Sequence, residues 1–209
     1  MKSKNALLFA SLLMIVCAIK VFGAPVHVWK IKYTSSPFSG GATTVYLAPN
    51  AIAIKTVSEY EVHAKAPDWN ATIYSRKAHA MCAVPYRSYS KGRFFVENEE
   101  TENEFDPAKV ISTEAITLFG LPAKRQSWST VSIDRQYYRI RNKPENTITQ
   151  VTTTTKIPHN KMQIALLSAW IPLPHLNAVP LAFFEKHKDG HIQDRWSAIA
   201  VEQLSLIHI

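Results

Sequence analysis

The sequence predicts a β-rich α+β domain, in which a curved antiparallel sheet carries about two helices on one face. Apolar and polar residues alternate with a period of two along much of the chain, which is typical of half-buried strands. Turn signals such as Pro49-Asn50 and Asp189-Gly190 separate these runs and favour antiparallel hairpins. Two further segments begin and end with helix signals, so both kinds of element are expected in the domain.

The strand pattern starts at VHVWKIKYT (26–34), where His27, Trp29, Ile31 and Tyr33 share one face. The lysines between them face the other way, as expected for a strand with one buried side. The same alternation predicts further strands at 42–48, 51–57, 59–66, 71–84, 128–133, 136–141 and 147–156, and a final hairpin that pairs 181–187 with 191–201.

A first helix is predicted at 107–119. Asp106-Pro107 combines an N-cap residue with proline at the first helical position. Gly120 is a good residue to end the helix, and Pro122 prevents its continuation. Apolar residues within the segment recur at spacings near 3.6, although several are β-branched and weaken the helix propensity.

A second, shorter helix is predicted at roughly 161–171. Asn160 can cap it, and Gln163 follows three residues later as in a capping box. Pro172 then ends the helix. Because no long linker interrupts the pattern, we expect one β-rich domain over 24–203.

The first 23 residues have the features of an export signal. Two lysines precede an apolar run at 6–19, and Val21 and Gly23 stand at the small-residue cleavage positions. The run is shorter than the roughly 20 apolar residues of a membrane span. We therefore expect a signal peptide at 1–23 and export to the periplasm or the medium. The alternatives are an uncleaved anchor and lipidation at Cys17.

The last six residues, LSLIHI (204–209), raise the question of where the natural chain ends. They can be translated from CTGTCTCTTATACACATC, which resembles the transposase mosaic end of sequencing adaptors. We therefore expect 204–209 to be translated adaptor, with the natural chain continuing past Gln203. The alternative is a genuine final strand, because Leu204, Leu206 and Ile209 would extend the apolar pattern.

Composition excludes several classes of protein. Hydrophobic residues make up 46% of the chain and charged residues 19%, which suits a folded core and not a disordered segment. Three lysines lie in the predicted signal, so the remaining chain carries +5 of the formal +8. For an exported protein this charge favours lipid head groups or surface polysaccharide over nucleic acid. Cys82 is the one cysteine after the signal, so a disulfide scaffold is excluded, and its apolar neighbours predict a buried thiol.

No catalytic motif supports an enzyme. The chain lacks the G-x-S-x-G turn of many serine hydrolases. His187 and His191 flank the turn at 188–190, where both rings can point together, but no third metal ligand accompanies them. The sequence therefore predicts a non-enzymatic protein with no metal and no cofactor.

Two patterns favour binding. RQYYRIRNK (135–143) interleaves basic residues with tyrosines, so Arg135, Arg139 and Arg141 are candidate contacts for an anionic group. The alternative is an exposed sheet face with covered arginine stems.

The second pattern is the richness of several strands in aromatic and apolar residues. A curved sheet with helices on its concave side can keep an apolar cleft, which suits lipids. The candidate ligand contacts are Trp29, Tyr46, Trp128 and Trp170. The alternative is that these side chains simply pack against the two helices.

Several stretches together resemble a known group of proteins. They are WKIKYTSS, the strand–turn–strand unit TTVYLAPNAIAIKT, APDWNATIYSRKA, FGLP, and WIPLPHLNAVPLAFF before the final hairpin. Their layout over most of 26–202 resembles exported bacterial proteins of the outer-membrane lipoprotein carrier type, the LolA/LolB-like half-barrel group. The resemblance implies a half-barrel sheet and a lipid or an acylated protein as partner. Those carriers usually begin the mature chain with a helix, whereas a strand starts here at once, and none of their site residues transfers.

Three functions follow in order of preference. The first is an exported, non-enzymatic binding protein that holds a lipid or another apolar ligand between sheet and helices. The second is a structural or interaction domain of the cell envelope, with an envelope component as partner and no small ligand. The third is an exported hydrolase, which no motif supports.

Overall fold

The computed structural model describes residues 26–36, 41–57, 59–90, 110–131, 146–170 and 176–206. Its strands are β1 (Val26–Ser36), β2 (Gly41–Ala48), β3 (Ala51–Thr56), β4 (Tyr60–Lys65), β5 (Ala71–Ser75), β6 (Ala80–Val84), β7 (Val110–Leu118), β8 (Leu121–Val131), β9 (Asn146–Thr154), β10 (Val179–Lys186) and β11 (Ile192–Leu206). Its helices are α1 (Tyr86–Tyr89) and α2 (Lys161–Trp170). The predicted signal at 1–23 and the predicted strand at 136–141 lie outside these residues.

All eleven strands form one open antiparallel sheet, in the order β6-β5-β4-β3-β2-β1-β11-β10-β9-β8-β7. Strands β1 to β6 follow one another as an N-terminal meander, and β7 to β11 follow one another as a C-terminal meander. The two meanders join where the first strand pairs with the last. The antiparallel, β-rich fold class is therefore confirmed, and the described residues contain two helices, of which α2 was predicted and α1 was not.

The N-terminal meander follows the alternation of its sequence. Strands β2 and β3 pair without a register shift across the predicted turn at Pro49-Asn50, from Ala48 opposite Ala51 onward. We call the buried side of the sheet the inner face. An inner row of cross-strand neighbours crosses seven strands, and it consists of Val201, Ile31, Val45, Ile54, Val62, Ile73 and Cys82. Its five central members are buried, because a strand with one covered face places every second side chain in the core.

The C-terminal meander continues the same face less regularly. Its register shifts between β7 and β8, between β9 and β10, and between β10 and β11. The inner face passes from Tyr33 to Trp196, whose rings stack with centroids 3.5 Å apart. From Trp196 it continues through the cross-strand neighbours Phe183 and Val151, all of which are buried.

The predicted first helix at 107–119 is wrong, because residues 110–118 form β7. Val110, Ile111 and other β-branched residues favour the extended backbone. Phe119 and Gly120 both adopt positive φ, at 55° and 71°, as required in a two-residue hairpin turn between β7 and β8. Glycine suits a helix end and a hairpin turn for the same reason, its tolerance of positive φ, so this signal could not separate the two.

Three smaller expectations also change. The run at 71–84 is not one strand but the hairpin of β5 and β6, which turns at 76–79. Cys82 is exposed and not buried, because β6 is an edge of the sheet among the described residues and four of its five side chains are exposed. The strand predicted at 128–133 begins earlier, at Leu121.

The second predicted helix is confirmed as α2, with its capping box in place. Asn160 Oδ1 accepts hydrogen bonds from the backbone N–H groups of Met162 and Gln163, at 3.0 Å each. Gln163 Oε1 accepts in return from the Asn160 N–H at 2.9 Å. This reciprocal arrangement satisfies N–H groups that the first turn of a helix otherwise leaves without partners.

Part of the segment 204–209 belongs to the last strand. Strand β11 extends to Leu206, with Leu204 opposite Val28 and Leu206 opposite Val26. The adaptor interpretation of 204–209 stays a prediction.

Candidate functional site

Helix α2 lies against the inner face of the N-terminal meander. Gln163 Nε2 donates to the carbonyl oxygens of Ala48 and Ala51, at 2.7 and 2.9 Å, which holds the start of α2 on the β2–β3 turn. Seven residues later, about 10 Å along a helix, Trp170 meets Tyr60 edge-on, with ring centroids 6.1 Å apart. The helix therefore runs from the β2–β3 turn towards the start of β4.

Almost all of α2 is covered. Lys161 is its one exposed residue, and Leu166 and Leu167 are fully buried. Full burial of a leucine side chain contributes about 2 kcal/mol relative to exposure. A helix with apolar residues on every side belongs in an interior, so α2 is part of the core and not a surface helix.

Partly buried hydrophobic side chains surround this core. Trp29 lies on the inner face, opposite Leu47 on β2, next to the β2–β3 turn that anchors Gln163. Met162 and Ala165 belong to α2 itself. Trp29 thus lies near the turn that holds the start of α2, and Trp170, which is buried, is the last residue of α2.

Trp128 lies on the inner face of the other meander. It is the neighbour of Thr149 on β9, which in turn neighbours Glu185 on β10. All three side chains are buried. Four strand spacings separate β8 from β1 in the sheet order, about 19 Å if measured along the sheet, so Trp128 and Trp29 belong to different parts of the inner face.

Glu185 forms a largely buried ion pair with Arg195. Glu185 Oε2 accepts from Nε and from Nη2 of Arg195, at 2.8 and 2.7 Å. Their side chains are 9% and 12% exposed, so water screens the pair little. Arg195 is the extra residue where the β10–β11 register shifts, and such a bulge re-aims a side chain.

Two buried tyrosines complete the polar chemistry of the interior. The hydroxyl of Tyr33 donates to the carbonyl oxygen of Pro180 at 2.9 Å, and burial raises its pKa well above the usual value. The hydroxyl of Tyr89 donates to the carbonyl oxygen of Trp69. Burial first, and then Tyr86 and Asp68, raise the pKa of Tyr89 to about 12. Both side chains therefore stay neutral near pH 7.

Tyr46 points to the other, outer face of the sheet. It is the neighbour of Lys30 and of Ala53, whereas Val45 on the same strand faces the core. On this outer face burial raises the pKa of Glu61, but a hydrogen bond from His63 and the nearby Lys55 outweigh it and lower the pKa overall. The structure thus places Trp170 on α2 and Trp29 beside the β2–β3 turn on which α2 begins. Trp128 lies further along the inner face, and Tyr46 lies on the outer face.

The remaining candidate residues do not form a binding or catalytic site among the described residues. Arg135, Arg139 and Arg141 lie outside the described residues, so their predicted role in contacting an anion stays a prediction. The rings of His187 and His191 stack at the β10–β11 turn, with centroids 5.9 Å apart. Within the described part of the chain, no three histidine, cysteine or acidic side chains cluster as metal ligands would. In that same part, no helix has the length and apolarity to cross a membrane.

Sequence reasoning missed two features of the inner face. The capping box identified Gln163, but its second role, which binds α2 to the β2–β3 turn, joins residues more than 100 positions apart. Alternation along LAFFEKH does place Glu185 on the face of Phe183, and an acid there signals a buried partner. The bulge that brings Arg195 to it has no local sequence signal.

Comparison with solved structures gives a weak likeness. No family model matches the chain, and no curated protein matches it significantly. A crystal structure from Vibrio parahaemolyticus, provisionally described as an outer membrane lipoprotein-sorting protein domain, is similar over 92% of this chain and 84% of its own. The identity is 9% and the TM-score 0.23. At that overlap the likeness adds no argument about the role of this chain.

Proposed function

We propose that the chain is an exported, non-enzymatic binding protein that holds a lipid or another apolar ligand beside α2. The ligand would lie in a cleft between the helix and a sheet that curves around it as a half-barrel. The observation that carries the proposal is that Lys161 is the one exposed residue of α2, while its other nine residues are buried or partly buried. A flat sheet covers one side of a helix only, whereas a concave sheet covers several, and a concave apolar face is the usual setting of a lipid site.

The partly buried hydrophobic residues around α2 support a cleft there. Trp29, Met162 and Ala165 each contact the core while keeping part of their surface uncovered. An acyl chain laid along α2 would cover these surfaces, and each buried CH₂ group would contribute about 0.8 kcal/mol. Trp170 closes the far end of this path against Tyr60.

The buried titratable groups support binding in preference to catalysis. Tyr33 donates to a backbone carbonyl, and the carboxylate of Glu185 is occupied by Arg195. Catalytic acids and bases need a free position beside a reacting atom. Groups that are engaged in this way stabilise the fold, so we propose no reaction.

The second candidate is an interaction domain of the cell envelope with no small ligand. The continuity of the core favours it, because residues of both meanders and of α2 form one hydrophobic cluster. If that cluster is filled throughout, then Trp29, Trp128 and Trp170 are packing residues. Ligand content therefore decides between the two candidates.

The test is lipid co-purification from a bacterial periplasm without detergent. Organic extracts of the folded protein are analysed by mass spectrometry beside a control protein of similar size. We expect about one lipid per chain from the wild type, and a loss of most of it in Trp29→Ala. Tyr46→Ala is the matched control, because it removes an aromatic ring from the outer face of the neighbouring strand.

Thermal unfolding of each variant shows whether Trp29→Ala is still folded, and Trp29→Phe restores an apolar ring if it is not. A clean extract from folded wild-type protein would replace the proposal with the interaction domain. Equal lipid loss in the Trp29 and Tyr46 variants would show that the lipid does not lie beside α2.

A further inference from the structure

The two ends of the sheet differ in how they are protected. Strands β6 and β7 are its edges, and an edge strand presents unpaired backbone N–H and C=O groups along one side. Natural edges are usually protected by charged side chains, proline or a covering element. The two edges of this sheet are therefore candidate sites for pairing with a strand of another chain.

Strand β6 carries none of the usual protecting residues. Its sequence is AMCAV, with no charge and no proline. Four of its five side chains are exposed, and Met81 is 73% exposed. A short apolar strand at an open edge is a site for the addition of another strand.

The pattern of β6 is self-complementary. Cys82 is its central residue, so a two-fold axis at Cys82 pairs the strand with itself in the antiparallel direction. Ala80 then meets Val84 of the second copy and Met81 meets Ala83, which sets a small side chain against a larger one on both faces. The inner row that ends at Cys82 continues into the inner row of the second copy.

Strand β7 excludes the same arrangement for the other edge. Its nine residues are centred on Glu114, so self-pairing would place two carboxylates opposite each other, which is destabilising. Glu114 is also engaged within its own hairpin, where it accepts from Arg125 Nη1 at 3.3 Å. The charge of Glu114 therefore disfavours self-pairing of β7, which leaves β6 as the edge for pairing with a second copy.

We propose that β6 pairs antiparallel with β6 of a second copy of this chain, with Cys82 opposite Cys82. This inference does not depend on the ligand proposal. Five residues a side bury far less than the roughly 1,200 Å² of a stable interface, so the dimer is weak and exchanges rapidly. Opposed residues of antiparallel strands have Cα atoms about 4.5 to 5.5 Å apart, within the range that a disulfide spans.

Disulfide trapping with oxidised glutathione tests this pairing. The Cys82 thiolate attacks glutathione disulfide and releases one glutathione thiol. The Cys82 thiolate of the second copy then displaces the second glutathione, and one bond between the copies replaces one glutathione disulfide. All variants carry Cys17→Ser, so that position 82 is the one source of thiol in the parent chain.

The register predicts which positions react. We expect the parent chain to form covalent dimer at least about tenfold faster than single-cysteine chains at the neighbouring positions, because pairing holds its thiols at millimolar effective concentration. Those chains are Cys82→Ser with Met81→Cys and Cys82→Ser with Ala83→Cys. Each should react slowly alone, whereas an equal mixture of the two should form the mixed dimer rapidly, since Met81 opposes Ala83.

Equal rates at all three positions would mean random collision and would overturn the proposal. So would a mixture of the two variants that reacts no faster than either alone. Light scattering of the Cys82→Ser chain adds an independent measurement: assembly beyond a dimer as concentration rises would indicate pairing of β6 with β7 instead.

Discussion

The two meanders of the sheet bury the same face with different side chains. In the N-terminal meander the inner row is aliphatic, and β2 to β6 pair without a register shift. In the C-terminal meander the register shifts at three of its four strand pairs. Both halves bury polar side chains, which are Thr43 and Thr56 in the N-terminal meander and Ser127, Thr149, Thr152, Thr154 and Glu185 in the C-terminal meander. The C-terminal set includes a charged side chain, Glu185.

The difference shows two ways of fixing a register. A one-residue slip in the N-terminal meander would turn every buried aliphatic side chain to solvent, so burial alone specifies its pairing. A bulge removes that simple periodicity. In the C-terminal meander the buried ion pair of Glu185 and Arg195 supplies a specific contact instead, and we expect its loss to destabilise the folded protein.

The largest effect is expected from a cavity in the aliphatic row. Ile54→Ala empties a site that is fully buried between Val45 and Val62. We expect the free energy of unfolding to fall by about 4 kcal/mol, measured by chemical denaturation. Val57→Ala is the control, because Val57 is 74% exposed and its truncation should cost less than about 0.5 kcal/mol. Similar losses in both variants would contradict the aliphatic account of this half.

The second-largest effect is expected in the C-terminal meander, from loss of the ion pair between Glu185 and Arg195. Glu185→Gln removes the carboxylate that accepts two hydrogen bonds from Arg195 in a largely buried site, so we expect a loss of about 3 kcal/mol. Glu114→Gln is the matched control on an exposed pair with Arg125, whose side chains are 61% and 35% exposed, and it should cost about 0.5 kcal/mol or less.

The double variant Glu185→Leu with Arg195→Met sharpens this result. Replacing both charges by apolar groups should recover most of the stability, because no unpaired charge remains. If the double variant is as unstable as the single one, the bulge geometry and not the unpaired charge is the cause.

The success of prediction from the sequence also differs between the N-terminal and the C-terminal meander. Alternation and turn residues predicted β1 to β4 and the hairpin of β2 with β3, since those signals lie within a few residues of one another. The capping box at Asn160 predicted α2 for the same reason. Residues 110–118 were misassigned, because Gly120 serves a helix end and a hairpin turn through the same positive φ.

The candidate site was less predictable than the fold. The register of β1 and β2 pairs Trp29 with Leu47, so Trp29 and Tyr46 lie on opposite faces of the sheet. That register is a tertiary fact, which no single strand specifies. The meeting of Gln163 with Ala48 and Ala51 likewise depends on how α2 lies on the sheet.

A smaller effect is expected where α2 meets the N-terminal meander. Gln163→Leu keeps the side-chain volume but removes two donated hydrogen bonds to backbone carbonyls and the capping-box bond that Gln163 Oε1 accepts from the Asn160 N–H. We expect a loss of about 2 kcal/mol from these bonds. Asn160→Ala removes only the cap and should cost about 1 kcal/mol. Equal losses would mean that the cap matters and the contact with the β2–β3 turn does not.

The smallest effect concerns Tyr33, where the two meanders meet. Tyr33→Phe keeps the ring stacked on Trp196 and removes the hydroxyl that donates to Pro180. Near pH 8 we expect a loss of about 1 kcal/mol. Because burial raises the pKa of Tyr33 in the folded protein, the unfolded chain loses this proton first as the pH rises past 10. The stability that the hydroxyl contributes is thus complete below pH 10 and declines above it.

The gap in unfolding free energy between wild type and Tyr33→Phe should therefore stay constant up to about pH 10 and narrow above it, so that it is smaller at about pH 11.5 than at about pH 8. Other alkaline effects act on both proteins and cancel in the difference. Tyr89→Phe offers the same comparison inside one meander, where the pKa of about 12 places the decline of its contribution between pH 10 and 12. A gap that stays constant for Tyr33→Phe while it narrows for Tyr89→Phe would mean that the seam between the meanders admits water to the Tyr33 hydroxyl.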